Sequence, residues 1–399
     1  MSRHVQDAYI VAAVRTPVGR APRGSLRHVR PDDLLVHVLR AALAEVPQLD
    51  PATIEDVLVG CAIPEGPQGM NIARIGALLA GLPTAVGGVT VNRFCASSLT
   101  TLAMAADRIR VGEADVLIAA GTESMSQVPM SKLMPSVNPR VFEHDESLGI
   151  AYGMGLTAER VAERWQVARD DQDAFALQSH QRALAAWQAG EFAQEVKPLT
   201  VTERRPDLEA GTVTPATTVF ARDEGPRADT SREALARLKP VFAARGSVTA
   251  GNSSQMSDGA AALIVMSERM VRTLGLTPLA RFVSFAVRGV PPEVMGIGPK
   301  EAIPAALKQA GLRQADLDWI ELNEAFAAQA LAVIRELGLD PALTNPLGGA
   351  IALGHPLGAT GAIRAATVVH ALQRRQLTYG MVTMCVGTGM GAAGILQRV

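Results

Sequence analysis

Apolar residues recur along this chain in two alternating rhythms. The run Tyr9-Ile10-Val11-Ala12-Ala13-Val14 is almost unbroken and reads as a strand, and Ile54–Val59 leads into another. Asn71–Ala80 has helical spacing, and Gly81-Leu82-Pro83 stops it. Val86–Val91 predicts a strand running toward Cys95. Ser97–Val111 then predicts a helix with Leu99, Leu102, Ala103, Ala106 and Ile109 on one face. Val116–Ala120 is short and wholly apolar, as in a strand buried on both faces of a parallel sheet.

The pattern changes between about Ser124 and Gly251, a stretch rich in proline, methionine and charge. Leu156–Trp165 and Asp170–Ala189 predict helices, whereas Thr200–Thr230 predicts long loops with short strands. Long ordered loops usually bind something. After about Pro278 the alternation returns. Strands are predicted over Ala280–Val287, Leu317–Leu322, Met381–Cys385 and Ala392–Arg398, and helices over Pro299–Ala310, Ala325–Leu337 and Thr360–Gln373. In both outer parts a strand delivers a reactive residue, and a helix opened by glycine or serine follows. The layout predicts a duplicated α/β unit with the active site between its halves and a loop-rich insertion.

Composition narrows the function classes. A chain of 399 residues, 48% hydrophobic and 19% charged, suits a globular protein with sizeable cores. A net charge of -1 supplies no field to hold nucleic acid or an acidic membrane surface, and no apolar run is long enough to span a bilayer. An anionic ligand would need a local basic site. Three cysteines are not a disulfide framework and point to a reducing compartment. With no signal or transit pattern at the start, the expectation is a cytoplasmic protein, in which the Asn252-Ser253-Ser254 sequon is a chance match.

Three separated stretches set reactive side chains among small residues. They are Val91-Asn92-Arg93-Phe94-Cys95-Ala96-Ser97-Ser98, Gly348-Gly349-Ala350-Ile351-Ala352-Leu353-Gly354-His355-Pro356 and Met384-Cys385-Val386-Gly387-Thr388-Gly389-Met390-Gly391. Two thiols and an imidazole framed this way suit covalent acyl transfer, with glycines that let backbone N–H groups approach an oxyanion. Cys95 falls where a strand meets a helix, whose positive end would lower the thiol pKa, with Ser97 or Ser98 as cap. His355, fixed between Gly354 and Pro356, is the candidate base; the partner of its second nitrogen is not legible. Cys385 is a candidate acid and base. Cys61 reads as a packing residue at a strand end, and His4, His28, His37, His144, His180 and His370 as structural or solvent-facing. Asn323 precedes a helix, and its spacing favours a cap over a role in holding a water or carbonyl. Gly389-Met390-Gly391-Ala392-Ala393-Gly394 has dinucleotide-loop spacing, but a strand rather than a helix follows, so nucleotide binding there is rejected. No metal-ligand spacing of Cys and His occurs.

These stretches, with Asn323-Glu324-Ala325-Phe326, Thr249-Ala250-Gly251-Asn252 and Arg15-Thr16-Pro17-Val18-Gly19, resemble the thiolases over essentially the whole chain. The resemblance implies a duplicated five-layer α-β-α-β-α fold with an inserted loop domain. Residues 1–123 and 252–277 would form one half, 278–399 the other, and 124–251 a loop domain covering coenzyme A. It implies an acyltransferase in fatty acid β-oxidation that cleaves 3-ketoacyl-CoA with coenzyme A as co-substrate and no permanently bound cofactor.

Carried over by match, Cys95 is the nucleophile, His355 its activator and Cys385 the acid and base. Asn323 would hold a water beside His355, and Gly387 would pair its N–H with that of Cys95. Arg227, Ser254, Ala250, Leu238, Phe242, Met154 and Phe326 match coenzyme A or acyl contacts. The family forms dimers or tetramers, so a homodimer or homotetramer is expected, with a β-oxidation complex as a further partner. Gly153, where acetoacetyl-specific members carry histidine, and a short Gln127–Ala151 loop resemble the degradative, broad-chain members. Thr388 departs from the commonest pattern. The rivals are an acetyl-CoA acetyltransferase, a non-catalytic acyl-CoA-binding relative and a decarboxylating condensing enzyme, against which Cys385 argues.

Overall fold

The computed structural model describes residues 5–130, 136–207 and 209–399. His4 and part of the Gln127–Ala151 loop lie outside the described residues. The strands are β1 (Ala8–Arg15), β2 (Gly19–Arg20), β3 (Asp56–Gly60), β4 (Gly87–Val91), β5 (Val116–Ser124), β6 (Leu199–Asp207), β7 (Thr212–Phe220), β8 (Ser257–Ser267), β9 (Ala280–Gly289), β10 (Trp319–Leu322), β11 (Tyr379–Val386) and β12 (Met390–Arg398). One half orders its strands β4-β3-β5-β8-β1, with β2 also on β8, and the other β9-β12-β11-β10. They meet edge to edge at Tyr9 with Arg281 and Ile10 with Ala280.

The two orders match strand for strand. In each half a parallel pair, β3 with β5 or β10 with β11, is followed by two antiparallel neighbours. Even the fifth position is marked, because Ile320 bridges in parallel to Thr344 where β4 lies in the first half. The expectation that Val116–Ala120 lies in a parallel sheet is therefore half right: β5 runs parallel to β3 and antiparallel to β8.

The layers follow from the period of two along buried strands. On β8, Ala261, Leu263 and Val265 face a central core, while Ala260, Ala262, Ile264 and Met266 face an outer one. On β12, Ala392 and Leu396 face the centre, and Ala393 and Ile395 face outward. Helices Ser97–Arg110 and Thr360–Arg375 fill the centre between the sheets. Their alanines, among them Ala103, Ala106, Ala362 and Ala366, allow that close approach. Pro31–Ala44 and Ile72–Ala80 cover one outer face, and Pro299–Ala310 and Ala327–Leu337 the other. The result is five layers, α-β-α-β-α.

Residues between β5 and β8 pack over one end of this stack. Helices Met154–Arg164 and Arg169–Gln188 lie close to the predicted bounds. Thr200–Thr230 differs from expectation: β6 and β7 form an antiparallel ribbon of nine-residue strands. Most of β7 faces solvent, so the apolar alternation that marks a strand is missing there; Leu199, Val201 and Phe220 anchor the ribbon in the core. The buried Arg15 guanidinium ties this region to β1, donating to Glu195 at 2.6 Å and to Asp223 at 2.8 and 3.0 Å.

Candidate active site

Cys95 lies in a single helical turn, Phe94–Ala96, between β4 and helix Ser97–Arg110. That turn packs against Leu357–Ala359, which follows His355, and against β11, which carries Cys385. The tight junction is paid for in backbone strain, since Phe94 adopts a φ of 44°. Neither Ser97 nor Ser98 caps the helix, contrary to expectation. Ala96 is the N-cap; the Ser97 hydroxyl accepts from the Arg93 N–H and donates to the Phe94 carbonyl, and Ser98 accepts from the Ala362 N–H. Ser97 thus closes the turn that holds Cys95, and Ser98 ties the two central helices together.

The electrostatics of Cys95 also correct the sequence reading. Burial pushes its thiol up to about 12, opposed by the backbone N–H groups of Cys95 and Gly387 and assisted by the Glu123 charge. The lost hydration of a thiolate outweighs the helix end. Cys385 is fully buried, and burial together with the neighbouring Cys95 raises its thiol. It sits in an apolar cluster with Met154, Met295, Ala325 and Phe326. Cys61 is buried at the end of β3, as expected of a packing residue.

His355 is 4% exposed, and burial pulls its imidazole down to about 3, with Arg364 adding to the effect. Its Nδ1 lies 2.6 Å from the Thr360 hydroxyl, which donates to the Pro356 carbonyl at 3.0 Å. With that hydroxyl proton committed, Nδ1 carries the imidazole proton and Nε2 keeps its lone pair, by assignment from the hydrogen bonds. Thr360 is thus the partner that could not be read from the sequence. The His355 N–H donates to Ser257 Oγ at 3.0 Å. A neutral imidazole with an unprotonated Nε2 is the form a general base needs.

Asn323 does not cap the following helix. Phe326 is the N-cap, and the Asn323 amide Nδ2 lies 3.3 Å from His355 Nε2. Residues 324–326 separate it from the helix, which carries it past the cap position and into the site. Asn323 Oδ1 is buried without a partner among the described residues, an acceptor suited to a water. Next to it, Glu324 accepts from Ser179 Oγ at 2.7 Å, Asn345 Nδ2 at 2.8 Å and the Ile351 N–H at 3.2 Å. It anchors the glycine loop that leads to His355.

A groove of about 320 Å³ opens nearby, lined by Arg20, His180, Arg227, Leu238, Ala250 and Gln255 among others. Arg227, Leu238 and Ala250 therefore line one groove. Phe242 packs edge-on to Phe326 with ring centroids 6.1 Å apart, and Ser254 donates its N–H to the Ala325 carbonyl at 2.9 Å. Phe326 shares the Cys385 cluster with Met154, so apolar residues run from the groove to the thiols. Two groove residues were missed. His180, read as structural or solvent-facing, accepts the Arg227 N–H on Nδ1 at 3.2 Å, and burial pulls it down to about 4. Arg20 is held by its N–H on Glu224 at 2.9 Å, and its guanidinium has no ion pair among the described residues. Arg227, in contrast, forms a two-pronged pair with Asp229 at 3.1 and 2.9 Å. Its place right after the Arg15-Thr16-Pro17-Val18-Gly19 motif was the available signal for Arg20.

The family described as thiolase, N-terminal domain, matches residues 8–269, and thiolase, C-terminal domain, matches residues 276–398. A 3-ketoacyl-CoA thiolase of Bacillus subtilis (strain 168) is 50% identical, over 98% of this chain and 100% of its own. The Bacillus anthracis acetyl-CoA acetyltransferase has a similar structure, with a TM-score of 0.89 at 39% identity and full coverage of both chains (100%). Human mitochondrial 3-ketoacyl-CoA thiolase follows at a TM-score of 0.88 and 38% identity, covering 99% of each. With a reactive centre of two thiols and an imidazole at the junction of matched α/β halves, the chain belongs to the thiolase family.

Proposed function

We propose that this chain is a degradative 3-ketoacyl-CoA thiolase. The observation that carries the reading is the meeting of Cys95, flanked by the N–H groups of Cys95 and Gly387, with Cys385 and with a neutral imidazole whose unprotonated Nε2 faces Asn323. Cys95 Sγ attacks the 3-keto carbon, and its proton passes to His355 Nε2. Burial disfavours both the free thiolate and the free imidazolium, so this transfer accompanies attack rather than preceding it. The oxyanion is met by backbone N–H groups or by His355 with a water on Asn323. The bond between C2 and C3 breaks, leaving an acyl-Cys95 thioester, and Cys385 protonates the departing acetyl-CoA enolate. Cys385 then takes the thiol proton of coenzyme A, whose sulfur attacks the thioester; a shortened acyl-CoA is released as Cys95 Sγ leaves and takes its proton back from His355 Nε2.

In this reading residues 124–251 cover coenzyme A, with the nucleotide end in the groove of Arg20, Arg227 and His180. The 50% identity to a chain named 3-ketoacyl-CoA thiolase supports the substrate class. So does Gly153, where a Cβ would meet nothing within 4 Å, leaving room in front of Met154. The reading includes a homo-oligomer, supported by β4, an edge strand half-buried along its whole length. The test is coenzyme A-dependent cleavage of 3-ketoacyl-CoA substrates from four carbons upward, with Cys95→Ala as control. Medium chains should be cleaved, and the control should be inert. Cleavage of acetoacetyl-CoA alone would convert the reading to an acetyl-CoA acetyltransferase.

A further inference from the structure

Glu123, near the end of β5, is fully buried at 1% exposure and takes no part in the steps above. One of its oxygens, Oε2, accepts two backbone N–H groups from opposite halves of the molecule: Ala62 at 2.8 Å, just past β3, and Gly358 at 2.8 Å, three residues after His355. The other, Oε1, accepts from Gln68 Nε2 at 2.6 Å and faces the Cys61 thiol at 3.8 Å. Gln68 cannot turn over, because its own oxygen accepts the Ser124 N–H and its nitrogen also donates to the Ile63 carbonyl at 2.7 Å. The seam has no spare room. A Cβ at Gly358 would lie 2.6 Å from the Ala62 nitrogen and 2.8 Å from Glu123 Oε2, and a Cβ at Gly121 would lie 2.7 Å from Ala359 Cα.

We infer that Glu123 is a positioning residue for the reaction, its carboxylate clamping the Gly358 turn to the β3 end and so fixing His355 against Cys95. Glu123 sits close enough to Cys95 for its negative charge to oppose thiolate formation. A group placed to activate the thiol electrostatically would carry the other sign, so geometry is the gain. The carboxylate is needed rather than an amide, since Gln68 presents a fixed NH₂ to Oε1 and a glutamine there would set two donors face to face. This inference rests on His355 being the base for Cys95.

The opposed signs make the test. The rate of Cys95 alkylation by iodoacetamide against pH, read by mass spectrometry on the peptide carrying Cys95, is compared for the parent, Glu123→Gln and Glu123→Asp. Steady-state thiolysis is followed in parallel per alkylatable Cys95. Glu123→Gln removes a charge, and Glu123→Asp keeps the charge but withdraws the carboxylate by one methylene. Clamping predicts that both variants behave alike: kcat falls about tenfold or more, KM for coenzyme A changes less than twofold, and the alkylation midpoint moves up. A purely electrostatic role predicts a midpoint that moves down in Glu123→Gln, with Glu123→Asp close to the parent. A structural role alone predicts a lower unfolding temperature with unchanged kcat per titrated thiol. Either result overturns the proposal. Should both variants fail to fold, Gly358→Ala forces the turn off Oε2 while leaving the carboxylate, and unchanged kcat with an unchanged midpoint there overturns it too. Failure of the His355 assignment shows separately, as a His355→Asn variant whose alkylation profile matches the parent.

Discussion

At the reactive centre His355, Cys385 and Asn323 are 4%, 0% and 1% exposed, whereas the side chains of Arg227 and Asp229 in the adjoining groove are 58% and 71% exposed. The two regions use charge differently. In the centre every ion is disfavoured by lost hydration, so neutral Cys95 and His355 form the resting pair and charge is created only as bonds change. In the groove water and salt screen the guanidinium groups, which serve recognition at modest strength. Substitutions at the centre should therefore change the reaction itself, while those in the groove should change the concentration at which it runs.

The sharpest way to break this contrast is Cys385→Ala. Cys95, His355 and the N–H groups remain, so an acyl-CoA should still transfer its acyl group to Cys95 and raise the protein mass accordingly. Carbon–carbon cleavage, which needs the proton of Cys385, should fall by roughly 10⁴-fold, in the range seen when a residue of a catalytic unit is removed. Full turnover in this variant would assign the proton to another group and remove the division of labour between the thiols.

How much of this was legible without coordinates differs between the same two regions. The strands and helices that carry Cys95, His355 and Cys385 alternate in buried layers, and buried elements leave strong apolar periods. Their reactive residues stand out because small neighbours frame them. What escaped was the three-dimensional part. Thr360 is five residues from His355, yet only the turn between them brings its hydroxyl to Nδ1. Asn323 fits the pattern of a cap, and only the run to Phe326 shows that it faces His355 instead. The Cys95 pKa went the wrong way because a helix start is visible in sequence while burial is not. In the groove, Arg20 lies on a short segment with no period to mark it, His180 sits on a predicted helix whose spacing does not say what its side chain faces, and the β6–β7 ribbon is too exposed to show a period.

Acid sensitivity sharpens the contrast next. Burial holds His355 at about 3 and His180 at about 4, and also lowers His37 and His370. A folded-state pKa below the unfolded value of about 6.5 means that both states are neutral above that pH. As the pH falls below it, the unfolded chain takes up protons that the folded chain refuses, so His355 and His180 each lower stability by up to about 1.4 kcal/mol per pH unit, and His37 and His370 act in the same direction. Buried carboxylates whose pKa is raised, such as Glu324, act in the opposite sense. The His180→Gln variant isolates one contribution. Its urea-unfolding free energy between pH 6 and 4.5 should depend on pH less steeply than the parent by about 1.4 kcal/mol per unit. An unchanged slope would mean that His180 is solvated and that the groove is wet to its floor.

Within the groove the contrast can be drawn between two arginines. Arg227 is already neutralised by Asp229, whereas Arg20 has no ion pair among the described residues. Arg20 is therefore the stronger candidate for a phosphate of coenzyme A. Arg20→Ala should raise KM for coenzyme A by about tenfold, near 1.4 kcal/mol, with kcat little changed. The same variant should lose discrimination between coenzyme A and its 3′-dephospho form. Arg227→Ala should cost less and keep that discrimination. The reverse order would restore Arg227 as the main phosphate contact.

The smallest expected effect lies where the two regions meet the backbone. Thr388 holds a φ of 66°, a conformation unfavourable for a β-branched residue, and its hydroxyl donates to the Gly387 carbonyl at 2.6 Å. Glycine at this position would release about 1–2 kcal/mol of strain against about 0.5–1 kcal/mol of added freedom in the unfolded chain. Thr388→Gly should therefore be more stable than the parent by about 0.5–1 kcal/mol, read as a slightly higher urea midpoint with the same slope. Because the Gly387 N–H belongs to the peptide before the one the hydroxyl touches, kcat should change less than twofold. A larger loss of kcat would show that the threonine is kept to aim the Gly387 peptide at the oxyanion, and that the strain is part of the site.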